Sequence, residues 1–486
     1  MKKSKKPSSH YSFDMKNILT ASTLFVVLVA FIAVLYRNTE DELHSRLRNI
    51  LSGLITIDRK HEVHYPKVAV GYGACKDIAF NAADVIPYEE FVNDEVAREF
   101  ISSYDDLLSS FAYYFSHGAA AERFTSNSTL FNELVNRVNK LRDRRVAFGG
   151  NGASIARRFA MEGFNVLLSS TTTKEMRDIF PQNLNIIGEI ADEVDIHLVF
   201  EYKAKETWGP YTAPRANRFI LHHDYHNPRV SSLERFDPYL KSFRPDLFVV
   251  SGLQMMDNYP MAKKIRHERL QAVKRQMNEL PRNTKIHFEM ASITEPNLLF
   301  YILDHIIPFA DSLGMNEQEL ANLHSALLHN TITLATDSNP KISHVLDMMR
   351  QIFKQLQEKR DGVENGRPLS RLHVHTLAYQ LIMVSKNSNW KNTFVAAARA
   401  SLVANTYVCG TAEVDIDRST LVIDESFSIS SIPGSRRIYF DDQNPVACWN
   451  ENDYHICLAP NLVCTYAKQT AGCGDNISAA GLAAQI

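Results

Sequence analysis

The residues best suited to chemistry lie near the end of the chain, where Gly472, Cys473 and Gly474 are followed by Asp475. Both glycines can take a positive φ and bring the main chain close to a ligand. The small residues after Asp475 favour a helix, so the amides of this turn would point out of a helix N-terminus, where anions are stabilised. The pattern predicts a cradle for an oxyanion or a phosphoryl group, fed by a strand over residues 461–466.

A carboxylate in such a cradle could take the proton of a substrate hydroxyl while the amides neutralise charge on a transferring phosphoryl group. A kinase must supply both of these contributions. Asp475 is therefore the candidate general base, and residues 472–474 are the candidate anion hole. The structural alternative is that Asp475 merely caps the helix, because Asp is a favoured N-cap residue.

Two further acidic motifs could organise a cation. His287 and Glu289 alternate on a predicted strand and share one face, where a carboxylate could hold magnesium directly or through water. A buried, hydrogen-bonded polar pair is the alternative. Asn316 and Glu319 have the spacing of a capping box, which gives both a structural role. Glu317 is then the second candidate magnesium-ordering group.

The elements that must position these residues alternate between strand and helix. Buried strand patterns begin near residues 67, 145, 165, 195, 246 and 285, and helical patterns separate several of them. This alternation predicts an α/β fold with a doubly wound, mostly parallel sheet and helices on both faces. Ligands of such folds gather beyond the carboxyl ends of the strands. The sequence places Asp77, Gly149 and Gly150 at such ends.

The segment of about 78–145 lacks a strong parallel-strand pattern, and the segment of about 189–220 mixes strand signals with Tyr, Trp and Pro. Both are predicted to form a smaller lid. Lysine and arginine number 53 and aspartate and glutamate 55, so no strong electrostatic field draws the chain to nucleic acid. Six cysteines without a Cys-x-x-Cys pair indicate neither a disulfide scaffold nor a zinc site. We expect a monomer that binds small molecules.

The N-terminus has the pattern of a membrane anchor. An apolar run over residues 18–36 follows five lysines and precedes three acidic residues. A helix of this length extends about 28 Å, close to the roughly 30 Å hydrocarbon core of a bilayer. The lysines leave the N-terminus in the cytosol and the rest across the membrane. We expect a signal anchor within residues 1–45, and cleavage followed by secretion is the alternative.

Taken together, the motifs resemble those of the ADP-dependent sugar kinases of the ribokinase-like superfamily, most closely the animal branch. The resemblance covers the chain from Lys67 to its C-terminus. The motifs that carry it are Gly472-Cys-Gly-Asp475, Asn316-Glu-Gln-Glu319, His287-Phe-Glu289, Gly149-Gly150-Asn151 and Ala213-Pro-Arg-Ala-Asn-Arg-Phe219. It implies a ribokinase-like kinase domain over residues 66–486 that uses Mg²⁺ to transfer the β-phosphoryl group of ADP to the 6-hydroxyl of glucose.

The resemblance also implies roles for individual residues. Asp475 corresponds to the base, and the amides of Gly472, Cys473 and Gly474 form the anion hole. Arg218 corresponds to an arginine that meets the nucleotide phosphate. The magnesium-ordering carboxylates, acting largely through water, are Glu289, Glu317 and Glu319. The sugar-binding positions are Asp77, Gly149, Gly150, His197 and Glu122.

The chain departs from its relatives at Gly73, where they usually carry an asparagine. The loss of that amide puts the sugar in question, so an ADP-dependent phosphofructokinase or an ATP-using sugar kinase is one alternative. A membrane-anchored scaffold without turnover is the other. The resemblance further implies a disulfide between Cys409 and Cys464, and an anchor in the endoplasmic reticulum membrane with the catalytic domain in the lumen.

Overall fold

The computed structural model describes residue 25 and residues 40–60, 66–89, 95–333, 337, 339–360 and 362–486. The apolar run over residues 18–36, where the anchor is predicted, lies outside this description apart from Phe25. Within the described ranges, no helix combines the length and the apolar character needed to cross a membrane.

The structure contains twenty-one strands within these ranges. They are, in chain order, β1 (Lys67–Gly71), β2 (Cys75–Asn81), β3 (Ala121–Phe124), β4 (Arg145–Gly149), β5 (Asn165–Ser169), β6 (Leu184–Ile187), β7 (Ile196–Tyr202), β8 (Thr207–Trp208), β9 (Tyr211–Thr212), β10 (Asn217–His222), β11 (Leu247–Val250), β12 (Lys285–Glu289), β13 (Ser312–Asn316), β14 (Arg371–His375), β15 (Tyr379–Ser385), β16 (Ser419–Thr420), β17 (Ser426–Ser428), β18 (Arg437–Tyr439), β19 (Ala447–Asn450), β20 (Tyr454–Pro460) and β21 (Val463–Cys464).

The first helix, α1, is described over residues 40–58. The other α-helices are α2 (Tyr104–His117), α3 (Ser128–Asn139), α4 (Asn151–Met161), α5 (Lys174–Ile179), α6 (Leu233–Phe243), α7 (Lys263–Glu279), α8 (Pro296–His305), α9 (Glu317–His329), α10 (Ile342–Arg360), α11 (Thr393–Cys409) and α12 (Cys473–Ala483).

Ten strands form the larger sheet, in the order β19-β20-β15-β14-β13-β12-β11-β1-β5-β6. All neighbours from β14 to β6 run parallel, whereas β15, β20 and β19 add an antiparallel edge. One hydrophobic core forms on each face, because alternate side chains of β1 and β11 point to opposite sides. The predicted mostly parallel sheet with helices on both faces is confirmed.

Five strands form a second sheet, in the order β3-β10-β7-β2-β4, and α2 and α3 contribute to its core. These strands come largely from the two segments for which a lid was predicted. The assignment of residues 145–149 and 195–200 to the parallel sheet was wrong, because β4 and β7 belong to this second sheet. A short apolar run does not specify its sheet partner, and β4 is in fact a largely exposed edge strand.

Helix α1 is part of the folded domain. Its side chains Leu47, Ile50, Leu54 and Ile57 are at most 2% exposed and belong to one core cluster with α4, α11 and α12. Gly53 allows the helix to lie close to the loop before β19, because a Cβ there would be 2.4 Å from Pro445 Cδ. The packed core therefore begins before residue 66.

Two disulfides are present among the described residues. Cys409, at the end of α11, is bonded to Cys464 in β21, with their Cα atoms 5.7 Å apart, which confirms the predicted bond. A second bond, which the sequence did not indicate, joins Cys448 and Cys457 across the antiparallel pair β19 and β20.

Candidate active site

The turn before α12 forms one wall of a cleft. Gly472 is the N-cap of α12, with a left-handed φ of 72° and no side-chain cap, so its neighbouring amides are not used by a capping side chain. Asp475 lies in the first helical turn and is 7% exposed. Because Gly472 occupies the capping position, the alternative that Asp475 merely caps the helix is wrong.

Two local expectations about this turn were wrong. The strand over residues 461–466 is reduced to the two residues of β21, and the long strand that approaches the turn, β20, ends at Pro460. Asn461 then turns the chain by donating its side-chain amide to the Thr376 and Leu377 carbonyls. Gly474 does not have a positive φ. Its small size is needed because a Cβ there would lie 2.8 Å from His375 Cε1.

Among the described residues, one side chain donates a hydrogen bond to Asp475. Asn151, the first residue of α4, donates its side-chain amide to Asp475 Oδ1 over 3.0 Å. Burial, and then repulsion by Glu289, raise the pKa of Asp475 to about 8, although Asn151 and Arg218 oppose this shift. A carboxylate that titrates near neutrality is suited to accept a proton from a hydroxyl.

Glu289 lies at the end of β12 in a different environment. Its carboxylate accepts hydrogen bonds from His287 Nε2 and from the Ser478 hydroxyl, each at 2.8 Å. Gly314 on β13 leaves space for it, because a Cβ there would be 2.2 Å from Glu289 Oε2. Burial disfavours the charge, but the imidazoles of His287 and His375 outweigh burial and hold the pKa of Glu289 at about 2. Glu289 is therefore a permanent anion.

The other two predicted magnesium-ordering carboxylates already have partners. Glu317 forms an ion pair with Arg215 at 2.6 Å. Glu319 accepts the backbone N–H of Asn316 at 2.9 Å, which confirms the capping box. No group of three close metal-ligating atoms in the described residues includes Glu289, Glu317 or Glu319. These carboxylates do not form a direct coordination shell, and their positions suit contact through water.

The opposite wall of the cleft comes from the second sheet. Asp77 lies within β2, in register with His197 on β7, and not after a strand of the larger sheet as expected. Gly149 on β4 backs Asp77, because a Cβ at Gly149 would be 2.1 Å from Asp77 Oδ2. Gly150 adopts a φ of 87° where the chain leaves β4 for α4. The two glycines thus allow close packing around a carboxylate.

His197 is surrounded by carboxylates. Its Nδ1 lies 3.5 Å from Glu122 and 3.9 Å from Asp77, and its Nε2 lies 3.0 Å from Asp224. Burial disfavours the imidazolium, but the three carboxylates outweigh burial and raise the pKa of His197 to about 10. The resulting charged cluster presents donors and acceptors of the kind that bind sugar hydroxyls.

Gln254 connects the two walls, and sequence reasoning missed it. Its side-chain amide donates to Asn151 Oδ1 at 2.6 Å and to Glu122 Oε2 at 3.2 Å. Asp224, the partner of His197, was also missed. The sequence signal for Gln254 was its position directly beyond the carboxyl end of β11, whereas no local pattern distinguishes Asp224.

The two walls enclose a cleft of about 490 Å³ between the two sheets. All the predicted site residues except Gly149 line it, including Arg218 on β10 and the anion-hole residues 472–474. The arrangement puts a base with a pKa near neutrality, a helix N-terminus without a capping side chain, an arginine and a carboxylate that is ionised at neutral pH around one space. This combination can transfer an anionic group to a hydroxyl.

A family model described as the ADP-specific phosphofructokinase/glucokinase conserved region matches residues 66–484. The chain belongs to this family. The ADP-dependent glucokinase of Bos taurus is 33% identical over 422 residues, which cover 86% of this chain and 84% of that protein. The probable ADP-dependent glucokinase of Caenorhabditis elegans is 28% identical and covers 86% of this chain and 85% of its own length.

Solved structures of ADP-dependent kinases share the fold of this family member. An ADP-dependent kinase in complex with fructose-6-phosphate and ADPβS has a TM-score of 0.62 at 19% identity, covering 91% of this chain and 97% of its own. A hypothetical ADP-dependent phosphofructokinase from Pyrococcus horikoshii OT3 has a TM-score of 0.55 at 18% identity, covering 86% and 97%. These similarities support the ribokinase-like α/β architecture.

Proposed function

We propose that this chain transfers the β-phosphoryl group of ADP to the 6-hydroxyl of D-glucose, forming glucose 6-phosphate and AMP. The observation that carries the proposal is the buried Asp475 carboxylate beside the N-terminus of α12, which no side chain caps. Its relationship to the glucokinases of the family supports the choice of donor and acceptor.

In this mechanism, the sugar lies against Asp77, Glu122 and His197, and its 6-hydroxyl faces Asp475. Asp475 takes the hydroxyl proton, and the sugar oxygen attacks the terminal phosphorus of ADP while the bond to the AMP oxygen breaks. The amides of residues 472–474 neutralise the charge that builds on the phosphoryl group. Arg218 binds the nucleotide phosphates, for which a planar guanidinium is well suited.

The carboxylates of Glu289, Glu317 and Glu319 would hold Mg²⁺ through its water ligands. Their oxygens are the type of ligand that Mg²⁺ prefers, and the partners they already have in the protein are compatible with contact through the hydration shell. When bound, the ion neutralises charge on the nucleotide phosphates.

Fructose 6-phosphate is the second candidate acceptor, because solved relatives include phosphofructokinases. The sugar end of the cleft argues against it, since the carboxylates of Asp77, Glu122 and Asp224 surround His197 there. A substrate that already carries a phosphate would be repelled by these charges.

The direct test incubates the purified full chain, in detergent, with MgCl₂, one acceptor and one donor. Glucose and fructose 6-phosphate are compared with ADP and ATP, and AMP, ADP and sugar phosphate are quantified by chromatography. The proposal expects AMP and glucose 6-phosphate in equal amounts from ADP and glucose. Turnover only with fructose 6-phosphate or only with ATP would overturn it in favour of the related kinases, and no turnover with any pair would favour a scaffold.

We also propose that the chain is anchored in the endoplasmic reticulum membrane with its catalytic domain in the lumen. The support is the apolar run over residues 18–36 after five lysines, together with the disulfides Cys409–Cys464 and Cys448–Cys457, since disulfides persist in oxidising compartments. Protease treatment of intact microsomes should leave the catalytic domain protected until detergent is added. Digestion without detergent would show the reverse orientation, and recovery in the medium would show cleavage.

A further inference from the structure

The segment that leads into the anion hole is held by α11 on one side. Lys468 donates its backbone N–H to the Val408 carbonyl at 2.8 Å, and the Tyr407 hydroxyl donates to the Ala471 carbonyl at 2.7 Å. These bonds fix residues 468–471 against the body of the larger sheet. Neither bond uses the backbone N–H of Thr470, which therefore needs a different hydrogen-bond acceptor.

The second sheet supplies that partner. Glu201 on β7 accepts the Thr470 N–H at 3.3 Å through Oε1. Its other carboxylate oxygen pairs with Arg145 on β4, and the same guanidinium also donates to the Lys468 carbonyl. Glu201 and Arg145 of the second sheet thus both hydrogen-bond to the backbone of the segment just before Gly472.

Glu201 also lies beside the nucleotide end of the cleft. It is the cross-strand neighbour of Arg218 in the antiparallel pair of β7 and β10. The Glu201 side chain is only 17% exposed, whereas its partner Arg145 is 44% exposed, so Glu201 is the more buried partner of this ion pair. Thr470 itself lines the cleft, and its hydroxyl is buried.

We propose that Glu201 is a positioning residue that couples the approach of the second sheet to the shape of the anion hole. When the second sheet lies against the larger sheet, Glu201 and Arg145 hold the backbone around Thr470, two residues before Gly472. The amides of the anion hole are then correctly placed. When the second sheet moves away, this hold is released, and the hole loses its geometry. The enzyme then assembles its anion hole only in the state that excludes water.

This inference rests on the proposed phosphoryl transfer, and wild-type turnover with ADP and glucose tests that function separately. The experiment measures kcat, the KM for glucose, and the ratio of AMP to glucose 6-phosphate for the full chain and its variants. Excess AMP reports transfer of the phosphoryl group to water, which gives AMP and phosphate.

Glu201→Ala removes the acceptor of the Thr470 N–H and the carboxylate that pairs with Arg145, and it should lower kcat about 10- to 100-fold, because small displacements of catalytic groups cost this much. The KM for glucose should stay within about twofold, since Glu201 is not among the residues that line the cleft. AMP should exceed glucose 6-phosphate. Glu201→Gln keeps an oxygen for the Thr470 N–H but loses the charge facing Arg145, so its loss in kcat should be smaller.

Glu206→Gln is the matched control, because this carboxylate belongs to the same sheet region but accepts from Asn81 and the Lys203 backbone. Its kcat and product ratio should equal those of the wild type within about twofold. Arg145→Ala combined with Glu201→Ala should cost less than the sum of the two single losses, since both act on one segment.

A kcat of Glu201→Ala within twofold of the wild type, with equal AMP and glucose 6-phosphate, would overturn the proposal. A loss confined to the melting temperature or to the KM for glucose would also overturn it, because a purely structural residue behaves in that way. If Glu201→Ala does not fold, Glu201→Gln carries the same decision through its product ratio.

Discussion

The surroundings of Asp475 and of Glu289 differ sharply, although both carboxylates are buried in the wall of one cleft. Within the described part of the chain, Asp475 accepts one side-chain hydrogen bond, from the Asn151 amide, and burial raises its pKa to about 8. Glu289 has His287, His375 and Ser478 around it, and despite its burial these neighbours hold its pKa at about 2.

This difference shows that the charges and donors around a buried carboxylate, together with its burial, decide what it can do. The carboxylate with few donors can exchange a proton near neutral pH, whereas the one with many donors stays charged and can only attract cations. The protein thereby obtains a base and a permanent anion from two similar side chains in one cleft.

The largest expected effect comes from removing the base. Asp475→Asn keeps the shape of the side chain but cannot take the sugar proton, so kcat should fall about 100- to 10,000-fold or more. Binding of glucose and nucleotide should remain, as measured by calorimetry. Near-normal kcat with an unchanged melting temperature would show that another group is the base.

The same variant should gain stability, which sharpens the comparison. An unfolded Asp475 titrates near its ordinary pKa of about 3.9, but burial raises the folded pKa to about 8. A raised carboxyl pKa means that its contribution to stability falls as pH rises between these values. Asp475→Asn should therefore melt at a higher temperature than the wild type at pH 8, and the difference should shrink towards pH 4. A difference that does not change with pH would contradict the raised pKa.

Gly314→Ala should disturb the surroundings of Glu289. The new Cβ would lie 2.2 Å from Glu289 Oε2 and 2.9 Å from Ser478 Oγ, so the carboxylate must move. We expect a loss of about 1–3 kcal/mol in the free energy of unfolding, as for other overpacked sites, and a higher magnesium requirement. Gly362→Ala is the control, since nothing lies within 4 Å of its Cβ position. Equal unfolding free energies and equal magnesium requirements for the two variants would contradict the claim that a Cβ at residue 314 displaces Glu289.

Asn151→Leu removes the hydrogen bond that Asn151 donates to Asp475 and should make the environment of that carboxylate still less favourable to charge. The pKa of Asp475 should rise above about 8. Because the base must be deprotonated, kcat/KM should fall most at low pH, by roughly tenfold per unit of pKa increase, and recover at alkaline pH. A pH profile that is lowered but not displaced would mean that Asn151 contacts substrate instead.

The smallest effect is expected for Ser478→Ala, which removes one of several donors to Glu289. Glu289 has a depressed pKa, so its charge stabilises the fold above its ordinary pKa, and this contribution is lost as pH falls through about 2. The variant should lose about 1–2 kcal/mol at pH 7, and its acid unfolding, followed by circular dichroism, should begin at higher pH. The exposed Ser242→Ala, which loses a bond to its own helix, should unfold in acid like the wild type.

The sequence predicted the local structure around the motifs well because each of these patterns is local. The small residues that follow Asp475 indicate the helix, and the spacing of Asn316 and Glu319 indicates the capping box that the structure contains. The resemblance to the kinase family, rather than periodicity, supplied the sugar positions and the bond between Cys409 and Cys464.

Contacts between distant segments were not predictable. Asn151 and Asp475 are 324 residues apart, and Gln254 and Glu122 are 132 apart, so no local pattern pairs them. The prediction of the sheet to which β4 and β7 belong was also wrong for this reason. Strand signals report a strand's own side chains and not the strand beside it.

The packing of α1 bears on how the chain could be processed. The family match starts at residue 66, but the buried side chains of residues 47–57 and the ion pair of Asp58 with Arg399 belong to the same core. A peptidase that cut between this helix and residue 66 would separate the helix from the chain. Loss of the helix would expose the apolar surface that it covers and remove the contact between Gly53 and Pro445. Cleavage before Leu47, the first buried residue described in this helix, would release a catalytic domain that keeps its core covered.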